Sequence, residues 1–135
     1  MRKKFEKDYF RGSVYKDYTK DKAMILNYIF LKNFILKFKS SGNLLEIGCA
    51  YGYFLKDLNK NYKTFGIDIS KYAIDNAKKI SPQSFLIAED IEKTDIFSKF
   101  PQMDIILANN TFEHLKNPEK IIQQCSKKLS KKGYL

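Results

Sequence analysis

The sequence predicts an open α/β domain, a parallel β-sheet covered by helices on both faces. From Leu44 onward, short runs of four or five apolar residues alternate with helical segments, the pattern of strands joined by helical crossovers. Those runs are apolar almost throughout rather than at every second residue, as in strands buried on both faces. With 135 residues, 44% hydrophobic and 30% charged, the chain has the size and balance of one globular domain.

Residues 1–20 interleave Phe5, Tyr9, Phe10, Tyr15 and Tyr18 with charged side chains and show no clean period. Tyr9, Tyr15 and Tyr18 would staple helices onto the sheet or, alternatively, form a lid. From Lys22 to Phe38 the pattern is helical: Met24, Tyr28, Leu31, Ile35 and Phe38 recur at spacings of four and three, and Ile25 and Ile29 widen the stripe. This helix should pack by its Met24/Tyr28/Leu31/Ile35 face. Ser40-Ser41-Gly42-Asn43 is a polar connection. Residues 1–43 thus read as an N-terminal helical and aromatic extension, and 44–135 as the sheet domain.

Within that domain Leu44–Ile47 is the first strand, followed by a glycine turn and an amphipathic stretch, Phe54–Asn59. Thr64–Ile67 is the second strand, and Ser70 suits the N-cap of a helix through Lys79. Ser84–Ala88 and Asp104–Ala108 are the third and fourth strands. Asn117 is the expected cap of a last helix, with Pro118 at its first position and Ile121, Cys125 and Leu129 on its buried side. Gly133 suits that helix's end, which leaves Tyr134-Leu135 as a two-residue stub of a fifth strand.

The net charge of +10 is unevenly spread. Residues 1–43 carry 11 basic and 4 acidic side chains and residues 116–135 carry 6 and 1, whereas residues 44–115 carry 8 and 10. A lysine-rich solvated face is the commoner cause of such an excess, with RNA or an acidic substrate as the alternative. No stretch approaches the twenty or so apolar residues that cross a bilayer, and no secretory signal opens the chain. Two cysteines, Cys49 and Cys125, are too few for a disulfide framework or a zinc cluster. The expectation is a cytoplasmic protein with no metal and no membrane partner.

The most informative segment is LLEIGCAYGYFL, Leu44 to Leu55. A buried strand runs into Gly48-Cys49-Ala50-Tyr51-Gly52 and then into a helix, and small residues there let a ligand approach the backbone. A dinucleotide fingerprint would place its third glycine where Tyr53 stands; the loop instead reads G-x-A-x-G. Asp68 ends the second strand, 22 residues after Glu46. A carboxylate there accepts both hydroxyls of a ribose lying across the strand ends, or merely opens the loop before Ser70. Asp90 follows the third strand, where it would accept from the exocyclic amine of adenine or stand as a solvated loop acid.

Together these residues resemble the class I S-adenosylmethionine-dependent methyltransferases. Glu46 with Gly48, Ala50 and Gly52 looks like their first motif, Ala50 replacing its middle glycine. Asp68 in FGIDIS looks like their ribose-binding acid, and Asp90-Ile91 in AEDIE is similar to their adenine-contacting pair. MDIILANNTFEHL, Met103 to Leu115, looks like their fourth motif, with the E-H-L ending of small-molecule enzymes. The resemblance spans Leu44 to Leu135 and implies strand order 3-2-1-4 with the stub of strand 5 beside strand 4. The cofactor would lie over Gly48–Gly52, where the strand order reverses.

The resemblance also implies roles. Backbone groups from Gly48 through Cys49 and Ala50 to Gly52 would cradle the methionine part of S-adenosylmethionine or, as product, S-adenosylhomocysteine. Glu46 would fix the loop and reach the cofactor's amino group through water, Asn109 would offer its carbonyl to that ammonium, and Ile69 and Ile91 would sandwich the adenine. The acids Glu46, Asp68 and Asp90, without a basic partner, suit a ligand lacking phosphate, which disfavours NADP and nucleoside triphosphates. The only histidine, His114, is the candidate general base, or else it closes the following turn. Cys49 reads as a small loop residue and Cys125 as core.

Asn109-Asn110-Thr111-Phe112 is not the Asn/Asp-Pro-Pro-Tyr/Phe segment of enzymes that methylate base amino groups, and the Pro-Cys of cytosine-carbon enzymes is missing. A small-molecule methyl acceptor is therefore expected ahead of nucleic acid. An RNA methyltransferase using the basic ends, or a non-catalytic interaction module, is the alternative. Such enzymes close their sheet with strands five to seven, which supply much of the acceptor pocket. The chain is thus expected to be C-terminally incomplete, to bind cofactor but methylate poorly alone, and to form a homodimer through the uncovered edge of strand 4 or else hide that edge behind its N-terminal helices.

Overall fold

The computed structural model describes Phe5 and residues 7–13, 21–93 and 95–135. Tyr15 and Tyr18 lie outside these residues. Among the described residues the α-helices and strands are α1 (Lys22–Phe38), β1 (Gly42–Ile47), α2 (Tyr53–Leu58), β2 (Tyr62–Asp68), α3 (Lys71–Ile80), β3 (Phe85–Ala88), β4 (Met103–Ala108), α4 (Pro118–Lys128) and β5 (Leu129–Tyr134). A short π-helical turn, Tyr9–Ser13, precedes them.

The strands form one parallel sheet in the order β3-β2-β1-β4-β5. This is the doubly wound α/β order read from the sequence. Ile47 is level with Ile67 on one side and Ala108 on the other, and Asp68 with Ala88. The carboxyl ends of β1, β2, β3 and β4 therefore open on one edge, and the order reverses between β1 and β4.

Side-chain alternation sorts the core into two layers. Leu45, Ile47, Ile67, Ile106, Ile121 and Cys125 pack on one face, and Leu44, Ile105, Phe54, Leu55, Leu58 and Ile74 on the other. Ser70 caps α3 as expected, its hydroxyl accepting from the Ala73 N–H at 3.1 Å. Asp21 caps α1 the same way, through the Met24 N–H at 3.0 Å.

Several expectations need correction. α1 does pack by Ile35, Tyr28, Leu31 and Met24, but Ile25, Ile29 and Phe38 are 42%, 53% and 54% exposed. A helix apolar on nearly all sides finds a partner for only one of them. Asn117 makes no side-chain cap for α4. Instead Glu92 Oε1 accepts from the N–H groups of Lys116 and Asn117 at 3.0 and 2.8 Å.

The fifth strand is not a two-residue stub. α4 ends at Lys128, and Leu129–Tyr134 pairs along β4 through an irregular register. Asp104 fixes this edge: it accepts from the Ser130 hydroxyl at 3.0 Å and the Asn43 N–H at 2.8 Å, and pairs with Lys39 at 2.7 Å. A Cβ at Gly42, where φ is +133°, would lie 2.2 Å from that carboxylate, so the join of α1 to β1 needs glycine. β4 is thus covered, and the sheet edge passes to β5.

Candidate functional site

The loop after β1 is wound by three left-handed residues in five, Gly48 (φ +76°), Ala50 (φ +45°) and Gly52 (φ +71°). The Gly48 and Cys49 N–H groups both donate to the Ile67 carbonyl, at 2.8 and 3.2 Å, holding the loop against the end of β2. A Cβ at Gly48 would come within 2.3 Å of Thr111 Oγ1. That hydroxyl itself sits 3.0 Å from the Ile47 carbonyl and 3.1 Å from that of Asn109. Glycine at position 48 thus lets the β4 loop close on the β1 loop.

Asp68 links the same loop to β2. Its Oδ2 accepts from the Ala50 N–H at 2.9 Å and its Oδ1 from the Ser70 N–H at 2.8 Å. Asp68 thus organises the loops on either side of it and also lines the cavity at the strand ends. Asp90 Oδ1 accepts from the Glu92 N–H at 3.0 Å, closing the turn after β3.

Above the strand ends lies a cavity of about 580 Å³, within the usual range for a small-ligand site. Of the residues singled out in the sequence, Gly48, Ala50, Asp68, Ile69, Asp90, Ile91, Asn109 and His114 line it. Glu46, Cys49 and Gly52 do not. By strand alternation Glu46 falls on the Leu44 side of the sheet, and it is 2% exposed.

Burial, and secondarily the Asp68 charge, push the Glu46 carboxyl well above its ordinary pKa. Its Oε2 has no hydrogen-bond partner among the described residues. The same two causes, with Glu46 as a third, raise the Cys49 thiol, which leaves it a packed side chain rather than a nucleophile. Cys125 likewise is buried and free, its thiol pushed up to about 12 by burial.

The cavity also takes in residues that sequence reasoning missed. Asp21, Met24, Asn27 and Tyr28 of the α1 region form part of its wall, as do Thr111 and Glu113. The aromatic extension contributes as well: Phe5 and Tyr9 line the cavity, while Phe10 both lines it and stacks on Tyr51 at 5.0 Å. Of the three tyrosines expected to act as staple or lid, Tyr9 is the one among the described residues, and it lines the cavity. The His114 ring lies 5.4 Å from Phe5, in the turn Phe112–His114 that the His114 N–H closes on the Thr111 carbonyl at 3.0 Å.

Five carboxylates, those of Asp21, Asp68, Glu89, Asp90 and Glu113, line this cavity, and no lysine or arginine does among the described residues. Glu89 is paired with Lys93 at 2.6 Å; in a chain of net charge +10 the other four acids still make the lining negative, which suits a cationic, phosphate-free ligand. S-adenosylmethionine, with its sulfonium and ammonium groups, two ribose hydroxyls and a flat adenine, fits this donor set. Asp68 lines the cavity beside the apolar walls that Ile69 and Ile91 provide.

A doubly wound parallel sheet with such a cavity at its switch point defines a Rossmann-like cofactor-binding domain. The chain belongs to the class I S-adenosylmethionine-dependent methyltransferases: residues 21–135 match the family described as a methyltransferase domain. It is 33% identical over 98 residues to a malonyl-[acyl-carrier protein] O-methyltransferase of Anoxybacillus flavithermus, a match covering 68% of this chain and 36% of that protein.

Among solved structures it resembles the plantazolicin methyltransferase BpumL bound to a desmethyl-plantazolicin analogue and S-adenosylhomocysteine. The TM-score is 0.64 at 29% identity, over 79% of this chain and 42% of that one. The N-methyltransferase NodS of Bradyrhizobium japonicum shares the fold, with a TM-score of 0.71 at 22% identity over 82% of this chain and 59% of NodS. The chain spans about a third of the length of the curated relatives it matches.

Proposed function

We propose that this chain binds S-adenosylmethionine in the cavity over the β1 and β4 ends and passes its methyl group to a small-molecule acceptor. The observation that carries the reading is the carboxylate-lined cavity without a basic side chain among the described residues. Backbone groups of Gly48 and Ala50 hold the amino-acid part, Asp68 the ribose, and Asp90 with Ile69 and Ile91 the adenine. Asn109 offers its carbonyl to the ammonium. Glu46 acts from beneath the loop through its buried carboxyl, and Cys49 and Gly52 shape the loop without touching the ligand.

When bound, the cofactor supplies an electrophilic methyl on a cationic sulfur. The chain's share is to align the acceptor and exclude water. His114, at the cavity wall, takes a proton from an acceptor that must lose one. The acceptor class rests on the E-H-L segment and on the names of the relatives, one acting on malonyl-[acyl-carrier protein] and another on plantazolicin. The described part of the 1–43 extension closes one side of a cofactor domain formed by 44–135, because Tyr9, Met24 and Tyr28 reach the cavity. Two buried free cysteines suit the cytoplasm.

Calorimetric titration with S-adenosylhomocysteine and with NAD tests this reading. S-adenosylhomocysteine should bind and NAD should not; tighter binding of NAD overturns the cofactor assignment.

A further inference from the structure

The aromatic segment ahead of α1 crosses the cavity from wall to wall. At one end the Phe5 ring lies 5.4 Å from that of His114, in the turn after β4. At the other, Phe10 stacks on Tyr51 of the β1 loop at 5.0 Å and lies 6.5 Å from Tyr72 of α3. Tyr9 joins the two ends, its ring edge-on to Phe5 and to Phe10 at 5.1 Å each. All three rings of the segment line the cavity.

One side chain anchors this crossing. Of residues 7–11 only Phe10 is buried, at 3% exposure, while Lys7, Asp8 and Arg11 are exposed. Its slot is built from Ala50, Tyr51 and Ala73, with Met24 and Tyr72 at the margin. Alanines at 50 and 73 leave room for a ring, and the near-parallel face of Tyr51, tilted by 28°, favours an aromatic one. Arg11 adds its guanidinium beside the Tyr51 hydroxyl. Tyr51 itself stands between the left-handed Ala50 and Gly52. The anchor therefore touches the loop whose backbone is proposed to hold the amino-acid part of the cofactor.

From this crossing we infer that Phe10 latches a strap over the cofactor cavity: with its ring seated against Tyr51 and Tyr72 the strap is shut, and ligand exchanges when that ring withdraws. The inference rests on the cavity being the S-adenosylmethionine site. Phe5 and Tyr9 are half-buried, so withdrawal of one buried ring frees the crossing. Each turnover requires product to leave and fresh cofactor to enter, and the latch sets how long either stays. Linkage runs both ways: a ligand that holds the β1 loop also holds Tyr51, and with it the seat of Phe10. Phe10 is thus a positioning residue, acting through the rings that it keeps in place.

Surface plasmon resonance with S-adenosylhomocysteine on the whole chain, together with amide hydrogen exchange on the same proteins, tests the strap. Phe10→Ala should release the ligand at least about tenfold faster, with association no slower. Phe10→Leu, which fills the slot without a ring to stack, should fall between the two. Without ligand, residues 7–11 should exchange faster in Phe10→Ala than in the wild type, while β1 and β2 keep their protection. Ligand should slow that exchange in the wild type. Release at the wild-type rate from the folded Phe10→Ala variant overturns the strap, as does exchange in residues 7–11 that ignores both ligand and substitution. Protection lost equally across β1 and β2 in both variants would make Phe10 a core residue and overturns it too. A wild-type chain that binds no S-adenosylhomocysteine overturns the cofactor reading itself, and the strap with it, before any substitution is made.

Discussion

The Asp68 carboxylate accepts a hydrogen bond from the Ala50 N–H at 2.9 Å, joining the end of β2 to the left-handed centre of the β1 loop. A charge-assisted bond of this kind is worth about 1.5–3 kcal/mol when partly buried. One carboxylate therefore both shapes the loop and faces the ligand cavity.

Asp68→Ala should lower unfolding free energy by about 1–3 kcal/mol and weaken S-adenosylhomocysteine binding roughly ten- to a hundred-fold. Chemical denaturation and calorimetry on the same samples separate the two effects. Unchanged affinity in a folded variant would remove Asp68 from the ligand's partners.

Gly48→Ala and Gly52→Ala should rank in that order of damage. Both positions are left-handed, which costs a non-glycine residue about 1–2 kcal/mol. Only at Gly48 does the new methyl also meet a side chain at 2.3 Å, against 3.2 Å from Ala77 Cβ at Gly52. Overpacking adds about 1–3 kcal/mol there. Thermal unfolding that shows Gly52→Ala the more harmful would contradict the observed closure of Thr111 on Gly48.

Glu46 gives the fold a pH dependence of defined sign. Its folded pKa is raised by burial above the ordinary 4.5. The folded chain thus keeps a proton that the unfolded chain releases. The stability this carboxyl contributes is complete below the unfolded value and is lost as pH rises toward the folded one. Glu46→Gln should flatten that decline and be the more stable protein at high pH. Denaturation midpoints at several pH values above 4.5 check it; parallel curves for the two proteins would mean that Glu46 ionises freely.

Glu92 ties the two walls of the cavity, since Ile91 and Leu115 both line it and Glu92 accepts from the N–H groups that follow Leu115. Glu92→Ala should cost about 1 kcal/mol and speed amide hydrogen exchange in residues 112–117. Glu92→Gln keeps an acceptor oxygen and should restore most of the protection. Equal exchange in both variants would show that the carbonyl-type oxygen is not what holds the loop.

Much of this architecture was legible in local pattern. Leu44–Ile47, Thr64–Ile67 and Asp104–Ala108 read as strands because short, mainly apolar runs bounded by polar turns leave a parallel sheet as the place to bury them. The β1 loop was legible because only small residues tolerate its left-handed turns. Asp68 was legible by its place at a strand end. Thr111 was not, although its segment was, because nothing in a threonine's neighbourhood says that its hydroxyl will meet a loop 60 residues earlier.

By itself the sequence determined the alternation of strands and helices, the cap at Ser70, the glycine loop and the acids at the strand ends, all features settled within a few residues of chain. The tertiary structure alone decided three others. Leu129–Tyr134 contains Ser130, Lys131, Lys132 and Gly133, a poor strand by propensity that pairs because Asp104 and the β4 edge await it. Glu46 lies beneath the loop rather than in the cavity because strand alternation puts it on the Leu44 side of the sheet. And α1 is apolar on two faces, so its periodicity cannot say which one the domain covers. That choice belongs to Phe54 and Ile105, whose layer covers Ile35 and leaves Phe30, Phe34 and Phe38 facing outward.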